Sequence, residues 1–257
     1  LRVQMKKLKI SLKESKCMNR NLLFLFLLFF VNTVQSAEKT SLNPVLIDLN
    51  NKPSLQRGAQ IFMNNCLGCH TLKYQRYVKF IDHLDMPKDI IEKNLIFTTD
   101  KNGKRTKIGS LILNAVNPDF SKEAFGVVPP DLTLIARSRG PDWIYTFLTS
   151  FYKDNSRPFG VNNKLYLNVN MPHVLWWMEG LKIPTSTDSN EYTYVTTGSM
   201  SEKEYKKSIT DLVNFLTYVS EPAQLDRYKI GFWVILFLTI FAFIAYLLKR
   251  EYWKDIE

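Results

Sequence analysis

The residues most suited to chemistry in this chain are Cys66, Cys69 and His70, which lie in the segment NNCLGCH. Two cysteines separated by two residues and followed by a histidine can bind zinc, form a redox dithiol or attach a haem. A structural zinc site needs further Cys or His ligands at suitable spacing, but the remaining histidines, His83 and His173, are isolated in the sequence. A redox dithiol opens a helix after a strand, whereas here a helical pattern runs into the motif.

Covalent haem attachment fits this spacing best. Two thiols can add to the two vinyl groups on one edge of a porphyrin, and the adjacent imidazole can reach the iron from one face. We therefore predict one haem c, with thioether bonds from Cys66 and Cys69 and with His70 as the proximal iron ligand.

The residue on the opposite face of the iron separates an electron carrier, which has both axial positions filled, from a sensor or peroxidase with an open iron. Met178 and Met200 fit core packing better than ligation. Met171 precedes Pro172, whose ring fixes the backbone beside a ligand. From the residues alone, three candidates for the sixth ligand remain: Met171, Met86 and His173.

Amphipathic helices must position these groups. Apolar residues recur at helical spacing before and within the motif, at Leu55, Ala59, Phe62 and Cys66, and Ser54 is the predicted N-cap. A second helix is predicted from the capping box of Ser201 and Glu204 to the residue before Pro222. Further helices are predicted in PDWIYTFLTSFY and GSLILNAV, with a long loop over residues 153–180. The predicted fold class is mainly α.

Charge and hydropathy divide the chain into segments. Residues 1–36 hold seven Lys or Arg and one acid, and so carry more than half of the net charge of +10; the rest has no basic block suited to nucleic acid. Ten apolar residues at 22–31 and small residues near Ser36 then predict a signal peptide over residues 1–36 that is removed on export. Residues 37–227 would form the exported haem domain.

The C-terminal part predicts a single membrane anchor. Residues 230–248 carry no charge, and a helix of that length matches the hydrocarbon thickness of about 30 Å. We predict a transmembrane segment over residues 228–250 and a short cytoplasmic tail over residues 251–257, because Lys249, Arg250 and Lys254 follow the span. The head would then lie on the periplasmic side of a bacterial inner membrane.

Several segments together resemble the cytochrome c1 family, the haem subunits of the quinol-oxidising cytochrome bc1 complex. These are RGAQIFMNNCLGCHTLKYQRY, GVVPPDLTLIARSRGPDWIYTFL, RPFGVNN, MPHVLWW and DLVNFLTYVSEPAQLDRYKIG, in that order. The resemblance implies a class I cytochrome c head and assigns the sixth ligand to Met171. It also implies that Pro129 and Pro130 pack along the haem and that Arg139, or Arg137, meets a propionate.

The resemblance further implies one-electron transfer from a Rieske iron-sulfur protein to a c-type cytochrome. Quinol oxidation would take place in the partner cytochrome b, so the chain would hold no turnover site of its own. One alternative is the anchored cytochrome c of a terminal oxidase. Another is a haem sensor or peroxidase with an open iron.

Overall fold

The computed structural model describes residues 41–100, 102–185 and 192–254. From Leu42 onward the chain belongs to one compact unit. The signal peptide predicted over residues 1–36 lies outside the described residues, as do residues 255–257 of the predicted tail.

The described part of the chain is mostly helical, with short antiparallel strand pairs between the helices. The helices are α1 (Lys52–Asn65), α2 (Lys79–Leu84), α3 (Lys88–Asn94), α4 (Pro118–Phe125), α5 (Ile135–Ser138), α6 (Pro141–Thr149), α7 (Trp176–Glu179), α8 (Glu202–Ser220) and α9 (Gln224–Tyr252). The strands pair as β1 (Leu72–Arg76) with β2 (Leu111–Ile112), β3 (Phe151–Lys153) with β4 (Val161–Asn163), and β5 (Gly180–Pro184) with β6 (Tyr192–Thr197).

Helices α1 and α8 pack directly against each other at Gly58. A Cβ atom on Gly58 would lie 2.1 Å from the Asp211 carbonyl oxygen and 2.6 Å from Cβ of Phe215. Only glycine therefore permits this approach. The contact is extended by Phe62 of α1, whose ring centroid lies 5.9 Å from that of Phe215.

Two predicted helix boundaries have different outcomes. The capping box of Ser201 and Glu204 is confirmed, and α8 ends at Ser220, before Pro222. Helix α1, in contrast, is capped by Asn51, whose side chain accepts a hydrogen bond from the Ser54 N–H. The prediction of Ser54 as N-cap was wrong because a proline fits the first turn of a helix. The buried Ser54 hydroxyl instead donates to Asp211 at 2.6 Å.

One other sequence prediction was wrong, and another was wrong in part. The segment GSLILNAV is not helical; it contains β2, which pairs with β1 so that Leu72 lies opposite Ile112. A short apolar run can form either a helix or a strand, and here pairing with the distant strand β1 makes it a strand. The loop predicted over residues 153–180 is interrupted by strand β4 and helix α7. In the hairpin of β3 and β4, backbone N–H and C=O groups hydrogen-bond to each other, whereas in a long loop they would hydrogen-bond to water.

Among the residues that the structure describes, one helix is long and apolar enough to cross a membrane. This is α9, with a mean hydropathy of 2.5 in its most apolar window, none of which is buried. Only residues 221–223 separate it from α8, and across them Arg227 Nε lies 2.6 Å from a carboxylate oxygen of Glu221. The mainly α fold with one C-terminal apolar helix is confirmed.

Candidate haem-binding site

Helix α1 carries the first cysteine into the core. Cys66 is the C-terminal cap of the helix, and its N–H donates to the Phe62 carbonyl at 2.9 Å. The predicted apolar face is buried at Leu55, Ala59, Phe62 and Cys66. The helix thus runs into the motif, as the sequence pattern predicts.

The motif itself forms a tight turn. The N–H groups of Cys69 and His70 both donate to the Cys66 carbonyl, at 3.0 and 2.8 Å. The amide of Asn114 donates to the Cys69 carbonyl at 2.7 Å and so ties this turn to the segment after β2. Both cysteines are free thiols. Two thiols and an imidazole are thereby presented from one turn.

The surroundings of Cys66 do not suit a redox dithiol. Burial, and to a smaller extent the neighbouring Cys69, raises the pKa of the Cys66 thiol to about 12. A reactive dithiol instead has one thiol whose pKa is lowered, so that it is a thiolate near neutral pH. The environment therefore opposes the dithiol interpretation of this motif.

The backbone fixes the orientation of the His70 ring. Its Nδ1 atom lies 2.7 Å from the Pro130 carbonyl oxygen, which can only accept, so Nδ1 carries the proton. Burial lowers the pKa of His70, against the opposing effects of this bond and of Asp131, and so favours the neutral ring. A neutral imidazole with Nδ1–H has its lone pair on Nε2, the atom that can bind a metal.

A carboxylate holds the Pro130 segment against the motif. Asp131 accepts hydrogen bonds from the Thr71 hydroxyl at 2.7 Å, from the Lys73 N–H at 2.8 Å and from the Thr133 N–H at 3.1 Å. Burial raises the pKa of Asp131, but these hydrogen bonds outweigh it and leave the pKa below its usual value. The ionised Asp131 side chain thus holds β1, the strand after the motif, to the segment that orients His70.

The other residues implied by the resemblance lie nearby in the chain. Pro129 is half-buried and Pro130 is exposed, while both Arg137 and Arg139 are exposed. The guanidinium carbon of Arg139 lies 5.3 Å from the centre of the Trp143 ring. Contact of these residues with a haem stays a prediction.

Met171 lies in the segment between β4 and α7 and is half-buried. It packs against the main core and also against a small cluster of Phe151, Val161 and Val169. Met178 is a core residue, and Met200 packs on the core and accepts a hydrogen bond from Ser208 at 3.6 Å.

The two other candidates for the sixth ligand, Met86 and His173, make contacts within the protein. Met86 is buried in the main core. His173 has its Nε2 atom 3.0 Å from Oε2 of Glu179, and its ring stacks on Phe151 at 4.9 Å between centroids. An ionised carboxylate only accepts hydrogen bonds, so Nε2 carries a proton in this contact and only Nδ1 of His173 could bind iron.

Asp131, Glu179 and Lys182 were not predicted from the sequence to have a role. Asp131 stands in the quoted PPDL segment, and its position directly after Pro130 was an available signal. Glu179 and Lys182 form a buried ion pair, and their burial depends on the elements that pack around them. No motif or spacing in the sequence indicates that pair.

The donors present fit a covalently attached haem. The described residues offer two unpaired thiols on one turn, an imidazole with Nε2 available, and a half-buried thioether on a separate segment. The fold and the site together define a c-type cytochrome head that precedes an apolar helix.

Comparison with known proteins identifies the family. The model of the cytochrome C1 family matches residues 45–256, and the chain belongs to that family. Cytochrome c1 of Allochromatium vinosum is 46% identical over 220 residues, covering 82% of this chain and 88% of that protein. The ammonia monooxygenase gamma subunit of Nitrosomonas europaea is 39% identical over 222 residues, covering 86% and 92%.

A solved structure described as a hyperthermophilic respiratory Complex III is 18% identical, covers 96% of this chain and 98% of that chain, and has a TM-score of 0.45. At that score the likeness says nothing further about this protein.

Family membership confirms the main sequence predictions. The chain is a membrane-anchored electron-transfer subunit of the cytochrome bc1 complex, with a class I cytochrome c head and a covalent haem c. Neither the terminal-oxidase alternative nor the sensor or peroxidase alternative is favoured.

Proposed function

We propose that Cys66 and Cys69 form the thioether bonds to the haem, that His70 binds its iron through Nε2, and that Met171 binds the iron from the other face. The observation that carries this assignment is the 2.7 Å contact between Nδ1 of His70 and the Pro130 carbonyl, which directs the lone pair to Nε2. When bound, the haem supplies an iron that accepts and releases one electron.

The protein residues prepare this site for electron transfer alone. A histidine and a methionine that both hold the iron would leave it no place for a substrate, and a methionine thioether would favour the reduced iron. Asp131 and Pro130 hold the histidine in one tautomer and orientation. Pro129 and Pro130 would flank the haem, and Arg139 or Arg137 would offset the charge of a propionate.

The partners follow from the same assignment. Electrons would reach the chain from the Rieske protein of a complex that also contains cytochrome b, and would leave it to a c-type cytochrome. Helix α9 would cross a bacterial inner membrane with Lys249 and Arg250 on the cytoplasmic side, so the head over residues 37–227 would lie in the periplasm. The signal peptide over residues 1–36 would be removed.

Absorption spectra of the membrane-extracted protein test the ligand assignment. We expect Met171→Leu to keep its haem but to lose the thioether-to-ferric charge-transfer band and to bind carbon monoxide when reduced. Met86→Leu is the matched control, because Met86 is a buried core methionine, and it should keep the band. If Met171→Leu kept the band, the sixth ligand would be elsewhere.

Co-purification tests the partner assignment. A tagged chain extracted in mild detergent should bring cytochrome b and an iron-sulfur protein with it. Recovery of an oxidase or a monooxygenase in their place would contradict the assignment, whatever the spectra show.

A further inference from the structure

A buried cluster of ionisable side chains includes His173, which follows Met171 by two residues in the chain. The side chains of Glu179, His173 and Lys182 are 3%, 5% and 6% exposed. One oxygen of Glu179 lies 3.0 Å from Nε2 of His173, and the other accepts a hydrogen bond from Lys182. Buried ion pairs contribute little stability compared with apolar packing, so a cluster of this kind requires another explanation.

The cluster connects several elements of the head. Lys182 of β5 donates to the Thr149 carbonyl at the end of α6 at 2.7 Å, and its ammonium lies 4.7 Å from the centre of the Tyr192 ring in β6. His173 stacks on Phe151 of β3 with an angle of 3° between the rings. Glu179 is the last residue of α7. His173 therefore contacts α7 and β3 directly, and Glu179 links it through Lys182 of β5 to α6 and β6.

Met171 lies on a segment that has no regular backbone pairing of its own. Residues 164–175, all of them described, belong to no helix or strand. On one side Asn168 is held, because its N–H donates to the Asn162 side chain at 2.9 Å and its carbonyl accepts from Arg157 at 3.0 Å. On the other side the first side chain fixed by polar contacts is His173, and only Pro172, with its rigid φ, lies between it and Met171.

We propose that Glu179, through His173 and Lys182, is the positioning residue that holds the Met171 thioether at the haem iron. This inference rests on the assignment of Met171 as the sixth ligand. In the absence of the cluster the segment has more accessible conformations, and the fraction of molecules in which Met171 is detached increases. A ligand that competes for the iron then binds more tightly in proportion to that fraction.

The test compares two buried carboxylates in the haem-loaded, membrane-extracted protein. Glu179→Gln removes the charge but keeps the side-chain size. The matched control is Asp211→Asn, because Asp211 is also buried and paired, with Arg57 of α1 at 2.6 Å, and its contacts lie at the α1–α8 crossing. Both variants lose a buried ionic contact, and both should be less stable than the parent protein.

We expect Glu179→Gln to lose most of the charge-transfer band, and its reduced form to bind carbon monoxide about tenfold more tightly than the parent protein. Asp211→Asn should retain the band and the parent affinity. The proposal is overturned if both variants retain them. It is also overturned if both variants lose the band equally, because that result would reflect general destabilisation.

Two further variants separate the possible failures. If Glu179→Gln does not accumulate, His173→Phe keeps the stacking on Phe151 but removes the contact with Glu179; it should show the same two changes, and parent behaviour would overturn the proposal. Met171→Leu is measured in parallel. If it keeps the band, the ligand assignment fails together with the positioning role; if it loses the band while the cluster variants keep it, only the positioning role fails.

Discussion

The two proposed axial ligands of the site, His70 and Met171, are held in different ways. On the proximal side, His70 follows a helix and a tight turn, and its ring is fixed by a backbone carbonyl 2.7 Å away. On the distal side, Met171 lies in an irregular segment between the contacts of Asn168 and the buried cluster around Glu179. The proximal side thus depends mainly on backbone geometry, and the distal side on contacts between side chains.

This difference predicts how each side responds to substitutions and to loss of stability. Backbone geometry is largely indifferent to the identity of most side chains, so the proximal turn should tolerate many substitutions outside Cys66, Cys69, His70 and the two residues whose side chains tie it down, Asn114 and Asp131. A buried charge that loses its partner leaves an uncompensated charge in a low-dielectric environment. We therefore expect the distal side to be the first to open when the head is weakened.

The largest expected effect comes from the proximal cysteines. Replacing both Cys66 and Cys69 by serine should abolish covalent attachment, so that acid-acetone extracts all pigment from the denatured protein. Met171→Leu should retain its pigment under the same extraction, because the distal side contributes no covalent bond to the porphyrin. Pigment that stays with the double serine variant would contradict the assignment of the proximal side.

The α1–α8 crossing should be the next most sensitive position. Gly58→Ala places a methyl group 2.1 Å from the Asp211 carbonyl, and we expect it to lower the free energy of unfolding by about 3 kcal/mol. Chemical denaturation measures this loss. Gly109→Ala is the control, since a Cβ there meets nothing within 4 Å. Equal stability of the two variants would mean that the helices can move apart without cost.

Asp131 should make the stability of the folded protein depend on pH. Because hydrogen bonds lower its pKa in the folded protein, its contribution is present above the usual carboxyl pKa of about 3.9 and is lost as the pH falls through the folded-state value. Asp131→Asn should therefore be less stable than the parent by about 1 to 2 kcal/mol at neutral pH, with the difference vanishing in acid. A difference that persists unchanged at low pH would show that the charge is not responsible.

The smallest expected effect concerns Arg139. Its guanidinium lies over Trp143 on the surface, so Arg139→Ala should cost about 0.5 to 1 kcal/mol of stability. If this arginine also faces a propionate, loss of its positive charge favours ferric iron and lowers the reduction potential. Arg137→Ala is the comparison, and redox titration of both variants shows which arginine acts on the haem. A lowered potential in Arg137→Ala alone would assign that role to Arg137.

The helix and turn that present Cys66, Cys69 and His70 could be predicted from the sequence because their signals are local. The spacing of Cys66, Cys69 and His70 and the apolar face before them lie within one continuous segment. The capping box of Ser201 and the uncharged run before Lys249 predicted α8 and α9 for the same reason.

The rest depends on residues that are distant in the chain. Strand β2 exists because Ile112 pairs with Leu72, forty residues earlier, and its own sequence fits a helix equally well. The contact between Lys182 and the carbonyl of Thr149 joins elements whose proximity no pattern indicates. Ser54 is a different case. Asn51 and the proline that follows it lie close together in the sequence, and together they already indicated that the helix begins after Asn51.

The connection between head and anchor sets a limit on movement. Residues 221–223 can span no more than about 10 Å even when extended, and the pairing of Arg227 with Glu221 shortens this reach further. A head tethered so closely cannot travel between a donor and an acceptor that dock far apart. If the proposed donor and acceptor dock far apart, they would therefore have to move to this chain, which would stay at a fixed height above the lipid.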